Sequence, residues 1–197
     1  MKIKICGLSR LCDIDYVNET KPDYIGFVFA EKSKRKINFE TALLLRKNLN
    51  SDIIPVGVFV DEKIETICEI IKAGIIDIIQ LHGSESDGYI KNIKELTNKP
   101  VIKSAANLNG MRKNADYILF DSIGGGTGKS FDWDILDKSK INKPFFLAGG
   151  LNINNIKRAI NQIKPFAVDI SSGVETDGVK DKQKILDIIK IARGEKL

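Results

Sequence analysis

A thiol at Cys6, a carboxylate at Asp121, an imidazole at His82 and a second carboxylate at Asp169 each stand at or near the end of a short apolar run. A thiol next to glycine and facing an electropositive site can have its pKa lowered and serve as a base, so Cys6 is a candidate for that role. Asp121, which closes the run Tyr117, Ile118, Leu119, Phe120, is the leading candidate for a catalytic carboxylate. The segments LAGGLN and DISSGV suit a phosphate. Gly149 and Gly150 would let backbone N–H groups approach its oxygens, the Ser171 and Ser172 hydroxyls could donate, and a short helix start near Gly173 would add its positive end. Taken alone, Cys6 is a small buried hydrophobe, His82 a structural histidine, and the glycines a tight turn. Their shared placement at strand ends is what makes them a site.

The glycine-rich loop after Asp121, with GTGKS, invites a nucleotide-binding reading. Its spacing fails by one residue, because the position where a P-loop needs its first glycine is Ile123. The loop also lies mid-chain before the short segment Phe131 to Lys138, where a P-loop would open a full helix.

Positioning these groups requires strands. Apolar runs recur at Lys2 to Cys6, Tyr24 to Phe29, Val56 to Val60, Asp77 to Leu81, Val101 to Ser104, Tyr117 to Asp121, Phe145 to Ala148 and Phe166 to Ser171. Helical spacing lies between them, clearest in Ile153, Ile156, Ala159, Ile160, Ile163 and in Ile185, Ile188, Ile189, Ala192. Pro22, Pro55, Pro100, Pro144 and Pro165 fall at or just before the proposed strand starts, where a residue without an N–H is tolerated. Strict alternation of strand and helix implies parallel strands with right-handed crossovers. Eight such units close into a minimal (β/α)8 TIM barrel of the α/β class, a single domain over residues 1–197. The fifth crossover has only about a dozen residues, with Gly110 in the middle, which predicts a loop or a single helical turn.

In such a barrel the C-terminal strand ends share one face. That face collects Cys6 and Gly7, the loop with Ser33, Lys34 and Arg35, Val60 and Asp61, Gln80 and His82, Asp121, Gly149 and Gly150, and Asp169 with Ser171, Ser172 and Gly173. Barrels that hold phosphate commonly use the loops after strands seven and eight, where the Gly and Ser pairs stand. Strand alternation puts Asp169 on the side of Ser171, so it should meet a ligand or a buried donor.

Composition narrows the classes. With 43% hydrophobic and 29% charged residues the chain is an ordinary globular protein, and no apolar run reaches a membrane span. MKIKICG lacks the apolar core of a secretory signal, which points to the cytoplasm. Three scattered cysteines argue against a disulfide framework, and no Cys/His cluster suggests a metal. The net charge of +5 comes from dispersed lysines, with one dense cluster at Lys32 to Lys36. A basic stripe interleaved with exposed aromatics, as nucleic acid would need, is missing. A small anionic substrate uses the same charge.

Together, KICGLSR, YIGFVF with SKRKI, VGVFVDE, IIQLHG, ILFDS with GGTGKSFDW, LAGGLN, and VDISSGVE with GVKD resemble the phosphoribosylanthranilate isomerases of tryptophan biosynthesis over the length of the chain. The resemblance implies an Amadori rearrangement without cofactor, with Cys6 as general base and Asp121 as general acid. It further implies that Arg35 grips the anthranilate carboxylate, that Gly149, Gly150, Ser171, Ser172 and Gly173 hold the sugar phosphate, and that Gln80, His82 and Asp169 face the substrate. The family usually has proline where Lys34 stands. The implied partner is a phosphorylated sugar, with no nucleic acid or membrane, and the chain a monomer or homodimer. The sister isomerase of histidine biosynthesis would use a carboxylate in place of Cys6 and a second phosphate site, for which no Gly/Ser pair follows strands three and four. A non-catalytic phosphate-binding barrel is the remaining alternative.

Overall fold

The computed structural model describes residues 1–121 and 138–195; the GGTGKSFDW segment falls outside them. Eight parallel strands close into a barrel. They are β1 (Lys2–Cys6), β2 (Tyr24–Val28), β3 (Ile54–Phe59), β4 (Ile78–Leu81), β5 (Val101–Ala105), β6 (Tyr117–Phe120), β7 (Phe145–Leu147) and β8 (Ala167–Ile170). Helices α1 (Leu11–Thr20), α2 (Phe39–Asn48), α3 (Ile64–Lys72) and α4 (Asp87–Thr97) follow the first four strands, α5 (Ile156–Ile163) follows β7, and α6 (Lys182–Arg193) follows β8. After β5 the crossover is a single 3-10 turn, Leu108–Gly110, as its short length requires.

Side chains alternate along each strand and build two cores. Ile3 and Ile5 point outward into the layer packed under the helices. Inside the barrel, Tyr24, Val56, Ile78, Ile102, Leu119, Phe146 and Ala167 fill the N-terminal half. Nearer the C-terminal ends, Cys6 packs with Val28 and Val58. The fully buried Lys4 stands between these two inner groups on β1, a charge where an apolar layer would be expected.

Helix α6 buries Ile185, Ile188, Ile189 and Ala192, the face its spacing predicts, and each isoleucine contributes about 1.5–3 kcal/mol by leaving water. Asp181 caps it by accepting from the Lys184 N–H. The start of α5 differs from expectation. Asn152 N–H donates to Asn155 Oδ1 and Asn154 N–H to Asn152 Oδ1, both at 2.9 Å, so asparagine turns delay the helix to Ile156. Ile153 is therefore 41% exposed instead of on the buried face.

Between β8 and α6 a hairpin forms from β9 (Glu175–Thr176) and β10 (Val179–Lys180). Its two-residue turn, Asp177-Gly178, has φ of 52° and 79°, the left-handed pair that a tight hairpin of this twist needs. Among the described residues no helix is long and apolar enough to cross a membrane.

Candidate active site

The C-terminal strand ends open on a cavity of about 660 Å³, large enough for a drug-sized ligand. Its lining includes Cys6 from β1, Arg35 from the loop after β2, Gln80 and His82 from β4 and beyond, Asp121, Gly149 and Gly150, and Asp169, Ser171 and Ser172. Gly173 of the expected phosphate group is not in the lining. It packs backbone to backbone on the loop after β7, where an added Cβ would stand 1.9 Å from the Leu151 carbonyl oxygen.

Cys6 is 8% exposed and pairs in register with Gly26 of β2. A Cβ on residue 26 would lie 2.5 Å from the Cys6 sulfur, so glycine there makes room for the thiol. Burial pushes this thiol up, and Lys4 and Lys180 pull it down less than burial and Asp169 raise it. This corrects the expected lowering. The sulfur sits inside an apolar collar of Val28 and Val58, and the lysine nearest it along β1 divides its charge with Asp169.

That lysine is Lys4, whose ammonium donates to both oxygens of Asp169 at 3.0 and 2.9 Å. The two residues are register partners across the β1–β8 seam that closes the barrel. Asp169 thus meets a buried donor. Burial alone would pull Lys4 down, but Asp169 and Cys6 outweigh it and hold the ammonium above its usual range.

Across the cavity, the Gln80 amide nitrogen lies 3.2 Å from His82 Nδ1, while His82 Nε2 is 3.5 Å from Asp121 Oδ2. With Nδ1 accepting from the amide, the ring donates from Nε2 and turns that edge toward Asp121. The Gln80 Oε1 is buried and meets no donor among the described residues. A second buried pair stands behind this wall. Lys103 Nζ donates to the carbonyls of Leu81 and Gly83, on either side of His82, and pairs with Glu85 at 3.1 Å. Glu85 in turn accepts from the N–H groups of Asp61 and Gly83.

Arg35 does not present a bare fork to the cavity. Its Nε and Nη2 donate to Glu175 at 2.6 and 2.7 Å, and Lys180 donates to the same carboxylate at 2.6 Å. Burial works against the charged form of Glu175, but the hydrogen bonds from Arg35 and Lys180 prevail and hold its carboxyl below the ordinary range. Burial pulls Lys180 down despite that partner.

On the opposite wall, Gly149 and Gly150 have φ of 82° and 67°, a left-handed pair that L residues adopt only with strain. Both line the cavity beside Ser172. The Ser171 hydroxyl donates to the Cys6 carbonyl at 3.0 Å, so it ties β8 to β1 and does not aim its proton at an anion. Ser172–Val174 form a single 3-10 turn. Among the described residues no group of His, Cys, Asp and Glu is arranged to hold a metal.

Reasoning from sequence left out Lys4, Glu175 and Lys180. The period-two pattern of KIKIC was a signal for the first, since it sets Lys4 on the face of Cys6. The dipeptide Asp177-Gly178 between strand-like pairs was a signal for the hairpin carrying the other two.

The family profile described as N-(5'-phosphoribosyl)anthranilate isomerase matches residues 3–191. The chain belongs to that family. The N-(5'-phosphoribosyl)anthranilate isomerase of Endomicrobium trichonymphae is 49% identical over 200 residues, covering 98% of both chains. Among solved structures, phosphoribosylanthranilate isomerase from Thermotoga maritima superposes with a TM-score of 0.88 at 36% identity, covering 98% of this chain and 99% of that one. Another isomerase of the family, solved with reduced 1-(o-carboxyphenylamino)-1-deoxyribulose 5-phosphate, has a TM-score of 0.85 at 35% identity, with 98% and 99% covered.

Proposed function

We infer that the chain converts N-(5-phosphoribosyl)anthranilate to 1-(2-carboxyphenylamino)-1-deoxyribulose 5-phosphate, an aldose–ketose isomerisation of tryptophan biosynthesis, with Cys6 as general base and Asp121 as general acid. The observation that carries this assignment of roles is that the thiol and the carboxylate open on one cavity walled by the Gly149-Gly150 turn. Asp121, as general acid, gives a proton to the furanose ring oxygen as the C1–O bond breaks and the anilino nitrogen, keeping its hydrogen, forms a protonated imine to C1. The Cys6 thiolate then takes the C2 proton, which leaves an enolamine. That species relaxes to the ketone as C1 gains a proton and the C2 hydroxyl loses one. The steps need no redox partner.

Binding follows the chemistry of the walls. The backbone N–H groups at Gly149 and Gly150 and the turn at Ser172 take the phosphate, with Gly173 keeping that turn tight against Leu151. Arg35 reaches the anthranilate carboxylate with the guanidinium edge not used by Glu175. The buried Gln80 Oε1 accepts a substrate hydroxyl or N–H, and His82 steadies Asp121. Ser171 and Asp169 act through the frame around Cys6. Residues 1–197 then form one barrel domain working on a phosphorylated sugar in the cytoplasm.

The test is turnover of freshly generated N-(5-phosphoribosyl)anthranilate, followed as loss of its anthranilate-type fluorescence. Saturable loss with formation of the ketone is the expected result. No turnover by the folded chain, where another family member consumes the same substrate, would overturn the assignment.

A further inference from the structure

We propose that the buried Lys4 ammonium, paired with Asp169 and two residues from Cys6 on the same inward strand face, is the counter-cation that lets the Cys6 thiol ionise. The inference rests on Cys6 being the base of the reaction above, and it adds a positioning residue to that reaction.

Lys4 has no exposed surface, and its only route to neutralising a buried charge is through groups inside the barrel. An ammonium has three N–H donors. Two are spent on the Asp169 oxygens, which leaves one, and Cys6 lies two residues on along the same inward face of β1. The other neighbours of the sulfur are apolar or otherwise committed. Val28 and Val58 offer no charge, Gly26 closes the β2 side, Arg35 is held by Glu175, and Lys180 is held by Glu175 and the Ser171 carbonyl. Of the charges that act on the thiol, Lys4 opposes burial most strongly, while Asp169 works with burial. Lys4 and Asp169 therefore push the thiol in opposite directions, and their pairing sets a poise between them. A thiolate formed here gains an immediate partner without admitting water.

The opposed signs give a test that general structural damage would not mimic. In a chain carrying Cys12→Ser and Cys68→Ser, only Cys6 can be alkylated by iodoacetamide. The pH midpoint of its alkylation rate is measured with Lys4 and Asp169 intact, in Lys4→Met and in Asp169→Asn, with folding checked by circular dichroism. Lys4→Met should raise the midpoint by about one pH unit, which makes alkylation roughly tenfold slower below it. Asp169→Asn should lower the midpoint. Movement of both variants in one direction, or of neither, would overturn the proposal. Where Lys4→Met does not fold, the Asp169→Asn arm decides alone, and an unchanged or raised midpoint overturns it. Isomerase activity of Cys6→Ser separates the two readings. Turnover retained there removes the base role and leaves the measured coupling standing, whereas lost turnover with unmoved midpoints removes Lys4 alone.

Discussion

Arg35 and Glu175 meet through two parallel hydrogen bonds, Nε to Oε1 at 2.6 Å and Nη2 to Oε2 at 2.7 Å, so the guanidinium that lines the cavity is fixed by the hairpin after β8. A planar fork can hold Glu175 on one edge and offer a second edge to a substrate carboxylate; an ammonium cannot do both with the same geometry. Arg35→Lys should therefore lower kcat/KM by roughly tenfold to a hundredfold, mainly through KM, a loss of about 1.4–2.8 kcal/mol. Steady-state kinetics would check it, and an unchanged KM would remove Arg35 from substrate binding.

The same carboxylate gives the protein a pH dependence with a defined sign. Glu175 is held below its ordinary value of 4.5, so it stabilises the fold above that pH, and the contribution disappears as pH falls through its folded value. The Tm of the wild type should exceed that of Glu175→Gln at neutral pH. The gap should close on acidification below pH 4.5. A gap that stays constant from neutral pH to strong acid would contradict the pairing.

Gly26 faces Cys6 across the β1–β2 ladder, and a methyl group there would stand 2.5 Å from the sulfur. Gly26→Ala must displace the thiol, and a shift of about 1 Å in a reacting group costs on the order of a hundredfold in rate. We expect kcat to fall by that order with a folded barrel by circular dichroism. Full activity would show that the sulfur's position is not critical.

Lys103 and Glu85 are buried together behind His82. Removing one partner leaves a buried charge, which typically costs about 3–5 kcal/mol, whereas replacing both with apolar groups costs far less. In urea unfolding, Glu85→Leu should lose stability of that size, and the double variant with Lys103→Met should recover a large part of it. Additive losses would show that the two charges are not coupled.

The barrel was legible because its strands are buried on both faces and stand out as continuous apolar runs, with prolines marking their starts. Gly110 and the short span before Tyr117 were enough to foresee the missing fifth helix. The Ile153 position was misjudged because asparagine turns, which leave little trace in hydrophobic periodicity, displaced the helix start. Alternation along β8 indicated that Asp169 would meet either a ligand or a buried donor, and the donor is what the barrel supplies. The donor's identity needed the closure of the barrel, since Lys4 is 165 residues away in sequence and a lysine in KIKIC resembles a surface charge. Glu175 was out of reach for a related reason. Its partner Arg35 lies 140 residues earlier, and only the hairpin turn brings them together.

The most direct test of the account is isomerase turnover of N-(5-phosphoribosyl)anthranilate by the wild type beside Cys6→Ser and Asp121→Asn. General acid–base groups contribute roughly 10² to 10⁴ in rate, so each variant should lose at least about a hundredfold in kcat while retaining binding of a reduced product analogue. Turnover near the wild-type rate in both variants would leave the barrel and the family standing and contradict the acid and base assignment.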